Sequence, residues 1–120
     1  MARDAAIITT WDGPVPGREA KSLEVFGDFV TFWGKRAADG KCSEPETYFA
    51  MDGSSGLSIV RGKLDDLMEI WASEENEILL GKAHMIVQNL RAQFHLAGEE
   101  VTTGLQRYMQ ALTELGVPQQ

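Results

Sequence analysis

Two histidines are the first side chains in this sequence that could carry acid–base chemistry. His84 and His95 are its only imidazoles, and an imidazole can accept or donate a proton near neutral pH. They stand eleven residues apart, which matches no standard metal-binding motif, and the sequence suggests no third ligand. We therefore expect no metal site. Both histidines are candidate catalytic residues, with a surface or interface position as the simpler interpretation.

Four further side chains are candidates for contacting a bound ligand, namely Arg91, Tyr48, Trp71 and Trp11. Small-molecule sites usually combine aromatic walls with a few polar groups that orient the ligand. A guanidinium, a phenol and two indoles supply both kinds of group. Trp71 also continues a stripe of apolar residues at helical spacing, so packing in a core explains it without any ligand.

The only cysteine, Cys42, excludes a disulfide within the chain and any metal site built from several cysteines. Lys41 beside it would favour the thiolate. No histidine lies nearby in the sequence to act as its base. We interpret Cys42 as a partly exposed thiol without a catalytic role.

Composition predicts one soluble domain spanning residues 1–120. This length allows a single two-layer core but not two independent ones. No stretch approaches the ~20 apolar residues of a membrane-spanning helix, and the apolar run at 5–8 is too short for a signal sequence. We therefore predict a cytoplasmic protein that does not contact membranes.

The charge of the chain argues against nucleic acid as a partner. The formal net charge is −7, and the 11 basic residues are spread along the chain with carboxylates beside many of them. A phosphate polyanion is repelled by such an acidic surface unless basic groups gather on one face. This acidic protein therefore has no expected nucleic-acid partner.

The candidates Arg91 and His95 lie in the clearest alternating segment of the sequence, residues 88–97. In an extended strand, successive side chains point to opposite faces. One face would then be polar, with Arg91, Gln93 and His95. The other would be apolar and would carry Leu90, Ala92, Phe94 and Leu96. The segment predicts a strand with one face against a core.

The other elements follow from apolar spacing and from turn residues. β-branched and aromatic runs predict strands at 5–11, 46–51 and 57–61, the last two forming a hairpin around the Gly-rich loop 52–56. Apolar residues at steps of three and four predict helices over 18–38 and 63–72, and a last helix that residues 98–100 open and that carries apolar residues from Val101 to Leu115. Ser73 breaks the second helix and caps a further piece that continues through Ala83.

The order strand, helix, hairpin, broken helix, strand, helix resembles that of the dimeric α+β barrel superfamily, whose domains have the ferredoxin-like split βαβ fold. This resemblance covers nearly the whole chain and rests on the order of elements, without a family motif. It implies a four-stranded antiparallel sheet covered by helices on one face, with an extra C-terminal helix. It also implies a homodimer in which two sheets meet face to face, and a pocket between sheet and helices.

The resemblance implies a role for the second sheet face as well. We expect Trp11, Tyr48 and Val60 on that face together with the polar residues of the alternating strand. A mixed polar and aromatic surface suits an interface. The wide apolar stripe of the first helix, which includes Phe26 and Phe29, also favours a dimer.

The superfamily includes cofactor-free monooxygenases of antibiotic biosynthesis, muconolactone isomerases and haem-degrading monooxygenases. In the haem-degrading group, a tryptophan and a later histidine serve haem, and Trp71 with His84 is loosely similar. The spacing differs, however, and Thr9 and Thr10 stand where an asparagine would be expected. Haem is therefore the weaker alternative.

Two classes of function stay open at this point. The first is a small ligand-binding or protein-interaction module, a homodimer that takes an apolar or aromatic compound and requires no cofactor. The alternative is a cofactor-free monooxygenase or isomerase that acts on a small aromatic or carbonyl compound. A pocket with a histidine directed into it would favour the enzyme.

Overall fold

The computed structural model describes residues 3–117, which contain four strands and four helices. The strands are β1 (Asp4–Asp12), β2 (Glu46–Phe49), β3 (Ser55–Lys63) and β4 (Arg91–Leu96). The helices are α1 (Glu19–Ala38), α2 (Leu64–Trp71), α3 (Glu74–Ile86) and α4 (Glu100–Leu115). Each element overlaps its predicted range, but β2 ends two residues early, β3 begins two residues early at Ser55, and β4 begins three residues late at Arg91.

The strands form one antiparallel sheet in the order β2-β3-β1-β4. Side chains of helices α1, α2 and α3 form one core with the buried strand residues Ala5, Ile7 and Val60, as the ferredoxin-like arrangement requires. The predicted α+β fold class is therefore confirmed. β3 and β1 are the inner strands, and Ala5, Ile7 and Thr9 of β1 are buried, whereas β4 and β2 form the edges.

The strand register decides which side chains share a face. Trp11 lies opposite Gly56, and Ile7 lies between Val60 and Phe94. These residues face the helices, where Trp11 contacts Phe26 of α1 at 6.4 Å between ring centroids. The expectation that Trp11 and Val60 lie on the second face is therefore wrong, because they share the alternation of the buried residues Ile7 and Thr9.

The second face of the sheet, which we call the open face, carries residues from all four strands. One row across it runs Tyr48, Leu57, Thr10, Arg91, and the next runs Glu46, Ile59, Ile8, Gln93. A third row joins Arg61, Ala6 and His95. Within residues 3–117, no helix packs on this face: its centre is apolar and its margins are charged.

Helix α1 ends where the sequence predicts. Gly40 adopts the left-handed conformation (φ 75°), which favours glycine because a Cβ is strained there. The backbone amide of Lys41 donates to the carbonyl of Arg36 at 3.0 Å and closes the last turn. The middle of the helix buries Phe32 and Trp33 against the sheet.

The break between α2 and α3 is held by side-chain hydrogen bonds. The Ser73 hydroxyl accepts from the backbone amide of Asn76 at 3.3 Å and caps α3, as predicted. The Asn76 side-chain Nδ2 reaches back and donates to the carbonyl oxygen of Trp71 at 3.0 Å. These bonds fix the angle at which α3 leaves α2 and hold the Asn76 side chain in place.

Helix α4 projects from the rest of the structure. Its first turns touch the sheet edge, where Arg3 Nε lies 2.7 Å from Glu100 Oε2 and Gly104 packs against Leu96. None of its residues is buried. The radius of gyration is 16.9 Å, above the ~14 Å expected for a compact chain of this length. Among residues 3–117, no helix is both long and apolar enough to cross a membrane.

Candidate ligand-binding site

A cavity of about 310 Å³ lies between the helix-covered face of the sheet and helices α1, α2 and α3. It lies near the C-terminal end of β1, where Phe26 of α1 contacts Trp11 and Phe49 of the sheet through their rings. Its walls include six aromatic side chains, which are Trp11, Phe26, Phe29, Trp33, Phe49 and Trp71. Aliphatic residues of α3, among them Leu79 and Ile86, close the opposite side.

The aromatic walls support one another through ring contacts. Phe26 stacks on Phe29 with centroids 6.1 Å apart and meets Phe49 edge-on at 5.2 Å. Phe49 in turn contacts Trp11 at 6.1 Å. Such pairs stabilise a fold beyond the area they bury and restrict ring rotation. The cavity therefore has aromatic walls suited to a flat apolar compound.

Six of the residues that line the cavity are polar, namely Thr9, Asp12, Glu19, Ser22, Ser55 and Asn76. Thr9 on β1 and Asn76 on α3 are buried. Asp12 and Glu19 lie toward the rim, where Asp12 accepts from Asn89 Nδ2 at 2.6 Å and Glu19 accepts from the Gly17 amide at 2.9 Å. Among the described residues, the lining contains no lysine, arginine or histidine. The site is thus apolar inside and acidic at its edge.

The ligand-binding candidates from the sequence are divided between two places. Trp11 and Trp71 line the cavity. Tyr48 and Arg91 instead lie at opposite ends of one row of the open face, beside a groove of about 600 Å³ that they share with Trp11. The indole of Trp11 therefore borders both spaces.

The two histidines lie away from the cavity. His95 is exposed on the open face, with its Nδ1 3.0 Å from the carbonyl oxygen of Gln93. His84 is exposed on α3. Because His84 does not line the cavity that Trp71 lines, the pair does not fit a haem site of the kind considered above. A catalytic role for either imidazole remains a prediction about surfaces outside the cavity.

The open face carries a small hydrogen-bonded cluster at its β2 edge. Glu46 accepts from the Tyr48 hydroxyl and from Arg61 Nη1, the latter at 2.5 Å. The Tyr48 hydrogen bond, followed by that of Arg61, lowers the pKa of Glu46. The same bond raises the pKa of Tyr48, because ionisation would place two negative charges together. Tyr48 is thus engaged at the surface and held as a neutral phenol.

Cys42 is half-buried beneath α1 and packs against the core. Burial, followed by the nearby Glu44 carboxylate, raises the pKa of its thiol. The thiolate is therefore disfavoured, in agreement with the interpretation from sequence. Within residues 3–117, no three metal-ligating side chains gather at one place.

Sequence reasoning did not single out Thr9 or Asn76 as site residues. Thr9 was considered only against the haem-degrading pattern, and Asn76 stands among the acidic residues of a helix start. One signal was available for each. A polar residue at Thr9 interrupts the buried face of a central strand, and Asn76 occupies the third position of a capped helix, which faces back toward the preceding turn.

The sequence matches no protein-family model and no curated protein. The fold does match solved structures. Rv0793 from Mycobacterium tuberculosis has a TM-score of 0.64 at 16% identity, over 79% of this chain and 94% of that one. SnoaB, a cofactor-independent oxygenase from Streptomyces nogalater, has a TM-score of 0.65 at 13% identity, over 80% and 94% of the two chains.

A hydroxynitrile lyase from Passiflora edulis also matches, with a TM-score of 0.60 at 7% identity over 79% of this chain and 94% of that one. At these identities the likeness establishes the fold alone, which is the ferredoxin-like α+β fold that the order of elements predicts. An oxygenase and a lyase share this fold, so the fold alone does not determine which reaction a protein catalyses.

Proposed function

We propose that this protein binds a small, neutral aromatic compound in the cavity between the sheet and helices α1 to α3. The observation that carries the proposal is the lining, in which six aromatic rings surround about 310 Å³ and Thr9 and Asn76 supply the buried polar groups. Ligand sites are typically concave, largely apolar and furnished with a few polar groups. A volume at the lower end of the usual ~300–1,000 Å³ favours a compound of one to three rings.

The charges around the cavity support a neutral ligand. Asp12 and Glu19 are the charged residues among those that line it. An anionic compound would enter past these carboxylates without meeting a cation inside, and burial of an unpaired charge is costly. The cavity therefore favours neutral aromatic compounds over aromatic acids.

Tryptophan fluorescence can report ligand binding in this protein. Its three tryptophans, Trp11, Trp33 and Trp71, all line the cavity. Addition of 2-methylnaphthalene should change tryptophan emission in a saturable way, and calorimetry should give one site per chain. Ala83→Phe fills the cavity from α3 and should abolish binding. Ala111→Phe makes the same change on the exposed surface of α4 and should leave it intact. Absence of saturable binding, or equal binding by both variants, would overturn the proposal.

A second candidate is a cofactor-free monooxygenase or isomerase acting on the bound compound. What favours it is the fold shared with a cofactor-independent oxygenase. Oxygen consumption with 2-naphthol as substrate tests the oxygenase. Oxygen consumption that requires the protein and is lost in the Ala83→Phe variant would support an oxygenase. Saturable binding without oxygen uptake or a new product would leave a binding module.

The proposal includes a homodimer formed through the open face. Its centre is apolar, with Ile8, Ile59 and Leu57 side by side, and charged residues surround that centre. Helix α4, which has no buried residue, also presents a row of exposed apolar side chains, among them Val101, Leu105, Tyr108 and Met109. A large apolar surface on a monomer usually marks an interaction site, and the same surface on a second copy is the simplest partner.

A further inference from the structure

Three hydroxyl-bearing residues cross the helix-covered face of the sheet in one row. Thr47 lies opposite Ser58, and Ser58 lies opposite Thr9. The Thr47 and Ser58 hydroxyls lie 3.2 Å apart and satisfy each other. Within residues 3–117 the Thr9 hydroxyl forms no hydrogen bond, although Thr9 is only 8% exposed. Thr9 is also the member of the row that lines the cavity.

Asn76 on α3 supplies a second buried polar side chain to the lining of the cavity. The Asn76 side chain is 1% exposed, and its Nδ2 donates to the Trp71 carbonyl at 3.0 Å. This bond fixes which end of the amide is the oxygen, because a carbonyl accepts only from the nitrogen. Within residues 3–117 no donor reaches Asn76 Oδ1. Asn76 lines the cavity, so this oxygen is a fixed acceptor for a group placed there.

We infer that Thr9 and Asn76 select a ligand that brings a hydrogen-bond donor into the aromatic cavity, such as a phenolic hydroxyl. This inference rests on the ligand-binding function proposed above and adds the polar contacts that choose among aromatic compounds. Among residues 3–117, neither oxygen is fully buried without a partner, so each opens to the cavity, and an apolar ligand there would take water away from it without replacing the hydrogen bond. A compound without any hydrogen-bonding group leaves both oxygens unpaired, so the site discriminates against it.

The experiment compares two probes of nearly the same shape, 2-naphthol and 2-methylnaphthalene. The methyl compound is the more hydrophobic, so apolar transfer alone would make it the tighter binder. We expect calorimetry on the full chain to show 2-naphthol binding about tenfold tighter, as one or two new hydrogen bonds predict. Thr9→Val keeps the shape of the side chain and should remove most of this preference. Thr10→Val is the matched control, because its hydroxyl lies on the open face.

Asn76→Leu is the second variant and should also reduce the preference, with circular dichroism to check its fold because it loses the bond to Trp71. Thr9→Val breaks no hydrogen bond within residues 3–117, so it should fold at least as stably as the native chain. Equal affinity for the two probes in the native protein would overturn this inference and leave the ligand-binding function standing. A preference that survives both variants would overturn the roles of Thr9 and Asn76. Failure of both probes to bind would overturn the ligand-binding function itself.

Discussion

The indole of Trp11 lies across the backbone of Gly56 on the neighbouring strand. A Cβ placed on Gly56 would stand 2.6 Å from Cζ2 of that indole, closer than side-chain carbons approach one another. Glycine at this position therefore lets Trp11 lie flat against β3, where it borders both the cavity and the groove beside Tyr48 and Arg91.

Gly56→Ala should therefore displace Trp11 and reshape the cavity. We expect a loss of about 1–3 kcal/mol in the free energy of unfolding, as overpacking of a well-filled site usually causes. Affinity for 2-methylnaphthalene and the tryptophan emission should change with it. Chemical denaturation and calorimetry measure these effects.

Gly81→Ala is the matched control for that substitution. Gly81 lies inside α3, a Cβ added there would meet nothing within 4 Å, and its φ is not positive. Alanine there should stabilise the fold by about 0.5–1 kcal/mol, since glycine is unfavourable in a helix interior. If both variants behaved alike, the contact between Trp11 and residue 56 would not explain the first.

Phe94→Ala should destabilise the fold more than His95→Ala. Phe94 faces the helices and meets Trp71 edge-on at 5.8 Å, whereas His95 is exposed on the other face. Because Phe94 is 38% exposed, we expect a loss of about 1–3 kcal/mol, below the ~3–5 of a fully buried ring. For His95 we expect a change within about 0.5 kcal/mol. Denaturant titrations of both variants decide this, and equal losses would contradict the strand register.

Tyr48→Phe should raise the pKa of Glu46 toward its ordinary value. The Tyr48 hydrogen bond is the main cause that lowers this pKa, and Arg61 also contributes. A carboxyl whose folded pKa is lowered stabilises the fold above its unfolded pKa of about 4.3, and this stabilisation is lost as the pH falls through the folded pKa. The variant should therefore lose less stability on acidification.

Carbon-detected NMR titration of the Glu46 carboxyl, followed by acid denaturation, checks this prediction. Tyr108→Phe provides the control, because Tyr108 is the other tyrosine of the chain and lies exposed on α4. A Glu46 pKa that Tyr48→Phe leaves unchanged would show that Arg61 holds the carboxylate alone.

The sequence predicts the order of elements because each leaves a local pattern. Alternation marks β4, helical spacing marks α1, and Ser73 marks the break between α2 and α3. Which face a strand buries is harder to predict, as Trp11 shows. Its aromatic character suggested an interface, whereas the alternation that begins at the buried Ala5 places it toward the helices.

The cavity is harder to predict from the sequence than the order of elements, because it depends on the distance between the sheet and the helices that cover it. The cavity lies between α1 and the sheet, beside the rings of Phe26, Phe29 and Phe49, and no local pattern in the sequence records the distance between these two layers. Thr9 and Asn76 lie 67 residues apart in the sequence, and only the packing of α3 on the sheet brings both to one cavity. The histidines attracted attention for their chemistry, which does not indicate where a side chain points.

The last prediction concerns the open face, which we expect a second copy of the chain to cover. Multi-angle light scattering should then give about twice the chain mass of 13.2 kDa. Ile8→Lys places a charge at the apolar centre of this face, between Ile59 and Gln93. In a monomer that lysine reaches water, but in a face-to-face dimer it is buried without a partner, so the variant should dissociate.

Met68→Lys separates an interface effect from a general effect of added charge. Met68 is an exposed apolar residue on α2, on the helix side of the sheet, so its variant should remain dimeric. Leu105→Lys tests whether α4 joins the interface, because Leu105 is exposed on the part of the chain that projects from the fold. Dissociation by Ile8→Lys and Leu105→Lys, but not by Met68→Lys, would place α4 against the partner's sheet. A native chain that stays monomeric at micromolar concentrations would instead mean that the open face is solvated, as one face of an antiparallel sheet can be.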